Sequence, residues 1–232
     1  MKRSKRSNAA RLDLLVYFQH GCLVLAINRP ESNNSWSATL SDKIAAKLRG
    51  AETDASITAA VITATGHDAF SVGQTAKSDD MFMERLIHCY DAIRSFSKPI
   101  VAAVNGDAIG IGFYVTQLCD YVVTQGNARL GHAIADGQSP SVFGTRLMWE
   151  RVGRRAVELA LNGRLLDADE AKKLGVIHEI ADAEAVLHQS VQAAQRLSGQ
   201  PRLAYPAIEK GDVRAESGAL HRCLTKGCNC PE

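Results

Sequence analysis

The sequence predicts an α/β fold with a largely parallel sheet and right-handed crossovers. Segments of strand type alternate with segments of helical period along almost the whole chain. The strands are nearly continuous apolar runs: ITAAVITATG (57–66) is β-branched and unbroken, the pattern of a strand covered on both faces. At 232 residues, 46% hydrophobic and 22% charged, the chain is long enough for one domain with a sizeable core, or one domain with a small appended lobe.

The elements follow in order. LLVYF (14–18) and CLVLAIN (22–28), separated by Gln19, His20 and Gly21, predict an opening hairpin. A helix comes next, with Leu40, Ile44, Ala45 and Leu48 at helical spacing and Ser41 or Thr39 as the expected cap. The strand 57–66 is followed by HDAFSVGQTAKSDD (67–80), read as a loop. In DMFMERLIHCYDAIRSF (80–96), Met83, Leu86, Ile87, Tyr90 and Ile93 share one helical face. PIVAAVN (99–105) is a strand, IGFYVTQLC (111–119) a helix and DYVVTQ (120–125) a strand. RLMWERVGRRAVELALNG (146–163) and DADEAKKLG (167–175) are helices, VIHEI (176–180) is a short strand, and DAEAVLHQSVQAAQRLS (182–198) is the last helix. The pattern divides the chain into a basic tail (1–10), an α/β core (11–180) and a short C-terminal helical and tail region (181–232), with no internal repeat or long linker.

Composition excludes some classes of function. A net charge of +2 gives no electrostatic case for nucleic acid. MKRSKRSN is a local basic exception, read as a solvated tail. No apolar stretch reaches a membrane span, since Asn105 and Asp107 break even the longest candidate. RLDLLVYFQHGCLVLAI, broken by Asp13, Gln19 and His20, is no signal-peptide core, so a cytoplasmic location is expected. Cys22, Cys89 and Cys119 sit in apolar segments and read as buried thiols. The terminal CLTKGCNC holds three thiols but neither a fourth ligand nor a closing motif, so no metal is expected there.

The chemistry-bearing stretch is KPIVAAVNGDAIGIGFYVTQLCD (98–120), a strand halted at Asn105-Gly106 that turns through Gly110 and Gly112 into a helix. Val115 stands where a dinucleotide fingerprint needs its third glycine, and Gly112-Phe113-Tyr114 replaces the Gly-Lys-Ser/Thr of a P-loop. What remains is a strand-to-helix turn whose first-turn amides face outward at the positive end of the helix dipole. Such a turn can hold a partly negative oxygen; glycines there can equally let a helix pack close to a strand. A second kinked loop, FSVGQ (70–74), follows the neighbouring strand and offers another set of amides to a shared oxygen.

INRPESNN (27–34), TGHDAFSVGQ (65–74), KPIVAAVNGDAIGIGF (98–113) with Cys119-Asp120 beyond it, and GRLLDADEAKKLGVIHEI (163–180) together resemble the enoyl-CoA hydratase/isomerase (crotonase) superfamily, over residues 14 to 205. The resemblance implies the ClpP/crotonase fold of repeated ββα units with a smaller C-terminal helical region, assembled as a homotrimer or hexamer. It implies an acyl-CoA or carrier-bound acyl thioester as substrate, fatty-acid-type metabolism, and coenzyme A only as part of the substrate, with no permanently bound cofactor. The thioester oxygen is expected between the backbone amides of Val72 and Ile111, with Gly73, Gly110, Gly112, Ile134 and Lys77 lining the substrate. The chemical logic matches the bare reading: the α-carbon is acidic only when its enolate oxygen is stabilised.

An enolate site also needs a group that moves protons. The three places where the family most often keeps a carboxylate hold Tyr114, Ile134 and Ser141, so ordinary two-glutamate hydration is not expected. Asp136, the nearest carboxylate, is the first alternative, in a stretch expected to border the acyl pocket. Tyr114, one turn into the helix, can donate a proton or pack as pocket wall, and His132 has a suitable pKa for proton transfer. His67 and Lys77 flank the first loop, and Lys77 is placed to meet coenzyme A phosphates or a carboxylated substrate. Two functions remain open: an enzyme working through a thioester enolate, or a non-catalytic acyl-thioester binding or scaffold protein.

Overall fold

The computed structural model describes residues 12–74, 81–132, 146–149, 153 and 163–199. Among them run β1 (Leu14–Gln19), β2 (Cys22–Ile27), α1 (Ala38–Glu52), β3 (Ala59–Ala64), β4 (Ala69–Val72), α2 (Phe82–Ser95), β5 (Ile100–Val104), β6 (Asp107–Ile109), α3 (Ile111–Leu118), β7 (Tyr121–Gln125), β8 (Leu130–Gly131), α4 (Ala168–Lys173), β9 (Glu179–Ala181) and α5 (Val186–Ser198). Two sheets form: one of order β1-β2-β3-β5-β7-β9, the other of order β4-β6-β8. Among the described strands, β1 and β2 pair antiparallel and the other strand pairs are parallel, while Leu130 of β8 also makes an isolated antiparallel bridge to Leu166. The β1–β2 turn uses His20 and Gly21, both at positive φ.

The unbroken apolar strands are explained by cover on both faces of the large sheet. Along β2, Leu23, Leu25 and Ile27 join a cluster with α1, α2 and α3 residues such as Ile44, Leu48, Leu86 and Phe113. The alternate residues Cys22 and Val24 join Val61, Val101, Val123 and the α5 residues Val186, Val191 and Ala194 on the other face. Period-two alternation between two apolar layers leaves no polar face to see in the sequence. Cys22, Cys89 and Cys119 are buried free thiols, as expected.

The repeat is structural. After β3, β5 and β7 the chain enters the small sheet as β4, β6 and β8; after β4 and β6 it continues into α2 and α3. Strand, short strand, helix is thus the ββα unit that the resemblance implies. Four expectations change in detail. α1 starts at Ala38 and is capped by Ser37, whose Oγ accepts the Leu40 amide at 3.2 Å, rather than by Ser41 or Thr39; the Ser41 Oγ instead accepts from Trp36 Nε1 at 2.8 Å. The stretch read as a loop (67–80) contains β4. The strand expected at 176–180 runs from Glu179 to Ala181. The final helix begins as a 3-10 turn at Ala183–Ala185 before α5. Of the helix expected over 146–163, residues 146–149 are helical and most of the remainder lies outside the described residues. The basic tail and the terminal cysteines also lie outside them.

Candidate active site

The candidate site lies at the carboxyl ends of the small sheet, the position where open α/β sheets generally place their ligands. Parallel register pairs Val72 with Ile109 and Ile109 with Gly131, so the three strands end at one level. One residue further on stand Gly73, Gly110 and His132; two residues on stand Gln74 and Ile111. The register is fixed at the other end by Asp107, whose carboxylate accepts the Arg129 amide at 2.9 Å and its Nε at 2.9 Å.

The glycines of the turn divide into two kinds. Gly106 and Gly112 are packing glycines. A Cβ on Gly112 would lie 2.7 Å from the Ser71 Cβ and closer still to the Ser71 carbonyl, and one on Gly106 would lie 2.7 Å from the Ala69 Cα. β4 therefore lies directly against the turn and the start of α3. Gly112, expected among the substrate-lining residues, is instead occupied by contact with β4. Gly73 (φ +69) and Gly110 (φ +66) have positive φ, and a Cβ on either would meet nothing within 4 Å among the described residues. Neither glycine is therefore needed for packing against the described residues, and the absence of a Cβ lets another group approach the backbone closely there.

The amides on the two loops are engaged differently. Val72, expected as a donor to the thioester, gives its amide hydrogen to the Asn33 carbonyl at 3.0 Å. Gly73 donates to the Ile109 carbonyl at 3.2 Å, and Gly110 to Gly131 at 2.9 Å. Among the described residues no acceptor meets the Ile111 amide, the first of α3, and none meets the Gln74 amide. The bracing that takes up Val72 comes from the INRPESNN segment. Asn33 and Asn34 have φ of 52° and 53°, and the Asn34 side chain, 1% exposed, donates to the Thr65 and Ala69 carbonyls at 2.9 and 2.7 Å. This segment therefore clamps β4 from outside. That the Val72 amide is engaged and the Gln74 amide is not could not be read from the sequence, because it depends on the distant Asn33 carbonyl; the αL-favouring Asn33-Asn34 pair was the available signal.

Two of the predicted proton-moving residues come together. Tyr114, one turn along α3 from Ile111, is 5% exposed, and its ring stacks on His132 with centroids 5.5 Å apart and planes at 20°. Burial raises the Tyr114 phenol pKa well above the usual tyrosine range, so it stays protonated. Burial alone lowers the His132 pKa, favouring neutral imidazole. The His132 Nδ1 is buried without a hydrogen-bond partner among the described residues. The Tyr90 phenol, 5% exposed, is pushed up by burial first and then by the nearby Cys89 thiol and Tyr114 phenol. Lys77, Ile134, Asp136 and Ser141 lie outside the described residues. His67 serves the fold through its carbonyl, which accepts from Gln125 Nε2 at 3.0 Å.

Among the described residues no cluster of three or more His, Cys, Asp or Glu could hold a metal, and no helix is long and apolar enough to cross a membrane. A cavity of about 380 Å³ opens elsewhere, at the ends of β7 and β9 beside Asn127, Asp182 and Gln189. It shares no residue with the glycine turn, where the three strand ends of the small sheet meet at one level.

The family model for enoyl-CoA hydratase/isomerase matches residues 17–225. The chain is 29% identical over 222 residues to 2,3-dehydroadipyl-CoA hydratase of Escherichia coli K12, covering 92% of this chain and 87% of that protein. It is 30% identical over 221 residues to 1,2-epoxyphenylacetyl-CoA isomerase of the same organism, covering 89% and 84%. Among solved structures it is similar to an enoyl-CoA hydratase/isomerase from Pseudoalteromonas atlantica T6c, with a TM-score of 0.80 at 28% identity over 90% of this chain and 86% of that one. It is also similar to a monofunctional enoyl CoA isomerase from M. smegmatis, with a TM-score of 0.71 at 30% identity over 89% and 93%. The ββα scaffold and these likenesses define a class, acyl-CoA enzymes of the hydratase and isomerase type. This chain belongs to the enoyl-CoA hydratase/isomerase family.

Proposed function

We propose that this enzyme binds an acyl-CoA, or a carrier-bound acyl thioester, and stabilises its enolate between the backbone amides of Ile111 and Gln74. The observation that carries the reading is the open Ile111 amide at the head of α3, in register with an open Gln74 amide on the adjacent strand end. Adjacent strands lie about 4.8 Å apart, so two such donors can reach one oxygen from either side. Gln74 takes the place expected for Val72, whose hydrogen the fold already uses. The substrate class is supported by the two curated relatives. Their names share the coenzyme A thioester and differ in the acyl group, so the common chemistry lies at the thioester. Coenzyme A then enters only with the substrate.

With Tyr114 rather than a carboxylate three residues along α3 from Ile111, the reading favours an isomerisation, decarboxylation or related enolate chemistry over two-carboxylate addition of water. The same reading includes a cytoplasmic homotrimer or hexamer, which sedimentation tests directly. The decisive experiment for the amide pocket is Ile111→Pro, compared with Ile111→Ala. Proline fits the first position of a helix and removes only the amide hydrogen. Deuterium uptake at the α-carbon of trans-3-hexenoyl-CoA in D₂O should fall about 10²–10³-fold in Ile111→Pro and much less in Ile111→Ala. Equal effects of the two substitutions would contradict the reading. Thioester binding by the wild type with no exchange would support the non-catalytic alternative.

A further inference from the structure

We propose that His132 is the group that takes and returns the thioester α-proton, with the Tyr114 ring as the platform that fixes its imidazole. The proposal rests on the acyl-thioester reading above and names the base within it. Three observations carry it. His132 is the residue immediately beyond β8, whose Gly131 carbonyl accepts the Gly110 amide at 2.9 Å, so it stands beside the turn that presents Ile111. Its ring is stacked at 5.5 Å and 20° on Tyr114, a side chain from the first turn of the same α3. Its Nδ1 is buried with no hydrogen-bond partner among the described residues. Buried polar atoms are almost always partnered, and one left open beside a ligand site calls for a reason. A proton acceptor waiting for substrate supplies one.

The step balances without a co-reactant. The neutral imidazole takes the α-hydrogen as a proton, and the C–H electron pair becomes the enolate C=C bond. The thioester oxygen gains the charge against the backbone amides, and the resulting imidazolium returns a proton to the α- or γ-carbon. Proton return at the γ-carbon moves a double bond, and return at the α-carbon from D₂O-exchanged imidazolium is read as deuterium uptake. Tyr114 is the one titratable side chain in ring contact with His132 among the described residues. No charged neighbour among them contributes to the histidine's titration, which burial alone displaces downward. Tyr114 keeps its own proton because burial raises its pKa.

The test measures α-deuteration of trans-3-hexenoyl-CoA in D₂O against pH, and butyryl-CoA affinity by calorimetry, on the full chain. The wild type should lose exchange on the acid side, with an apparent pKa below the ordinary histidine value of about 6.5. His132→Gln should slow exchange about 10²–10⁴-fold while holding butyryl-CoA affinity within about threefold of wild type. His132→Ala should regain exchange with added imidazole, with the acid limb moved to that of the free base. Tyr114→Phe, which keeps the ring, should leave the limb in place, and Tyr114→Leu should shift it upward as water reaches the imidazole. A limb unmoved by Tyr114→Leu overturns the platform role. If His132→Gln binds butyryl-CoA and exchanges at the wild-type rate, the proposal fails and the acyl-thioester reading survives. If the wild type does not bind butyryl-CoA, both fail. Should His132→Gln not fold, a wild-type acid limb with an apparent pKa above about 6.5, or no imidazole rescue of a folded His132→Ala, overturns the proposal.

Discussion

At the scale of single residues, function divides between backbone and side chain at the same position. Ile111 packs its side chain against the apolar cluster while its amide meets no acceptor among the described residues, which is why proline and alanine at 111 separate the two proposed roles. His132 makes a second prediction through stability. Its folded pKa lies below its unfolded value of about 6.5, so the unfolded chain binds more protons in that window. The stability tied to the neutral ring is therefore fully present above about pH 6.5 and is lost as pH falls toward the folded pKa. Urea midpoints at pH 7.5 and 5.0 should fall further for the wild type than for His132→Gln; parallel falls would contradict it. Asn34 is a third case. Its side chain satisfies two carbonyls at full burial, and Asn34→Ala should destabilise by about 1–3 kcal/mol, read from the same urea curves, with β4 loosened in hydrogen exchange.

At the scale of elements, the account turns on how closely β4 lies against the turn into α3. Gly112→Ala places a methyl into the Ser71 backbone, and the clash should cost about 1–3 kcal/mol and reduce α-exchange by moving Gln74 away from Ile111. Gly50→Ala, in α1 with nothing within 4 Å of the new methyl, should be neutral or stabilising; equal destabilisation by the two would contradict the close-approach argument. Helices and long strands were legible in the sequence because period and apolar runs are local properties. The small sheet was not. β4, β6 and β8 have 4, 3 and 2 residues, too few to show a period, and β4 therefore read as loop. The α1 cap was misplaced by a few residues because Thr39 and Ser41 are capping types that here lie inside the helix, Ser41 partnering Trp36.

At the scale of the whole molecule, two apolar layers hold the large sheet, so that the carboxyl ends of the small sheet are presented on a rigid base. α5 supplies one layer through Val186, Val191, Ala193 and Ala194. Val191→Ala removes two buried methyls and should cost about 2 kcal/mol without altering the pH profile of exchange, since the layer lies across the sheet from Tyr114. A changed profile would mean that the site is not insulated from that layer. The family and the glycine turn were legible from motif residues alone. The choice of Gln74 over Val72 as the proposed second donor was not, because it depends on a contact between segments some forty residues apart, Asn33 and Val72.

The central claim is a geometry, and a crystal structure with acetoacetyl-CoA, a thioester that ionises to an enolate, tests it most directly. The account predicts the thioester oxygen within about 2.7–3.1 Å of both the Ile111 and Gln74 nitrogens, with the Val72 hydrogen still on Asn33. A thioester oxygen bound away from these two amides would contradict it.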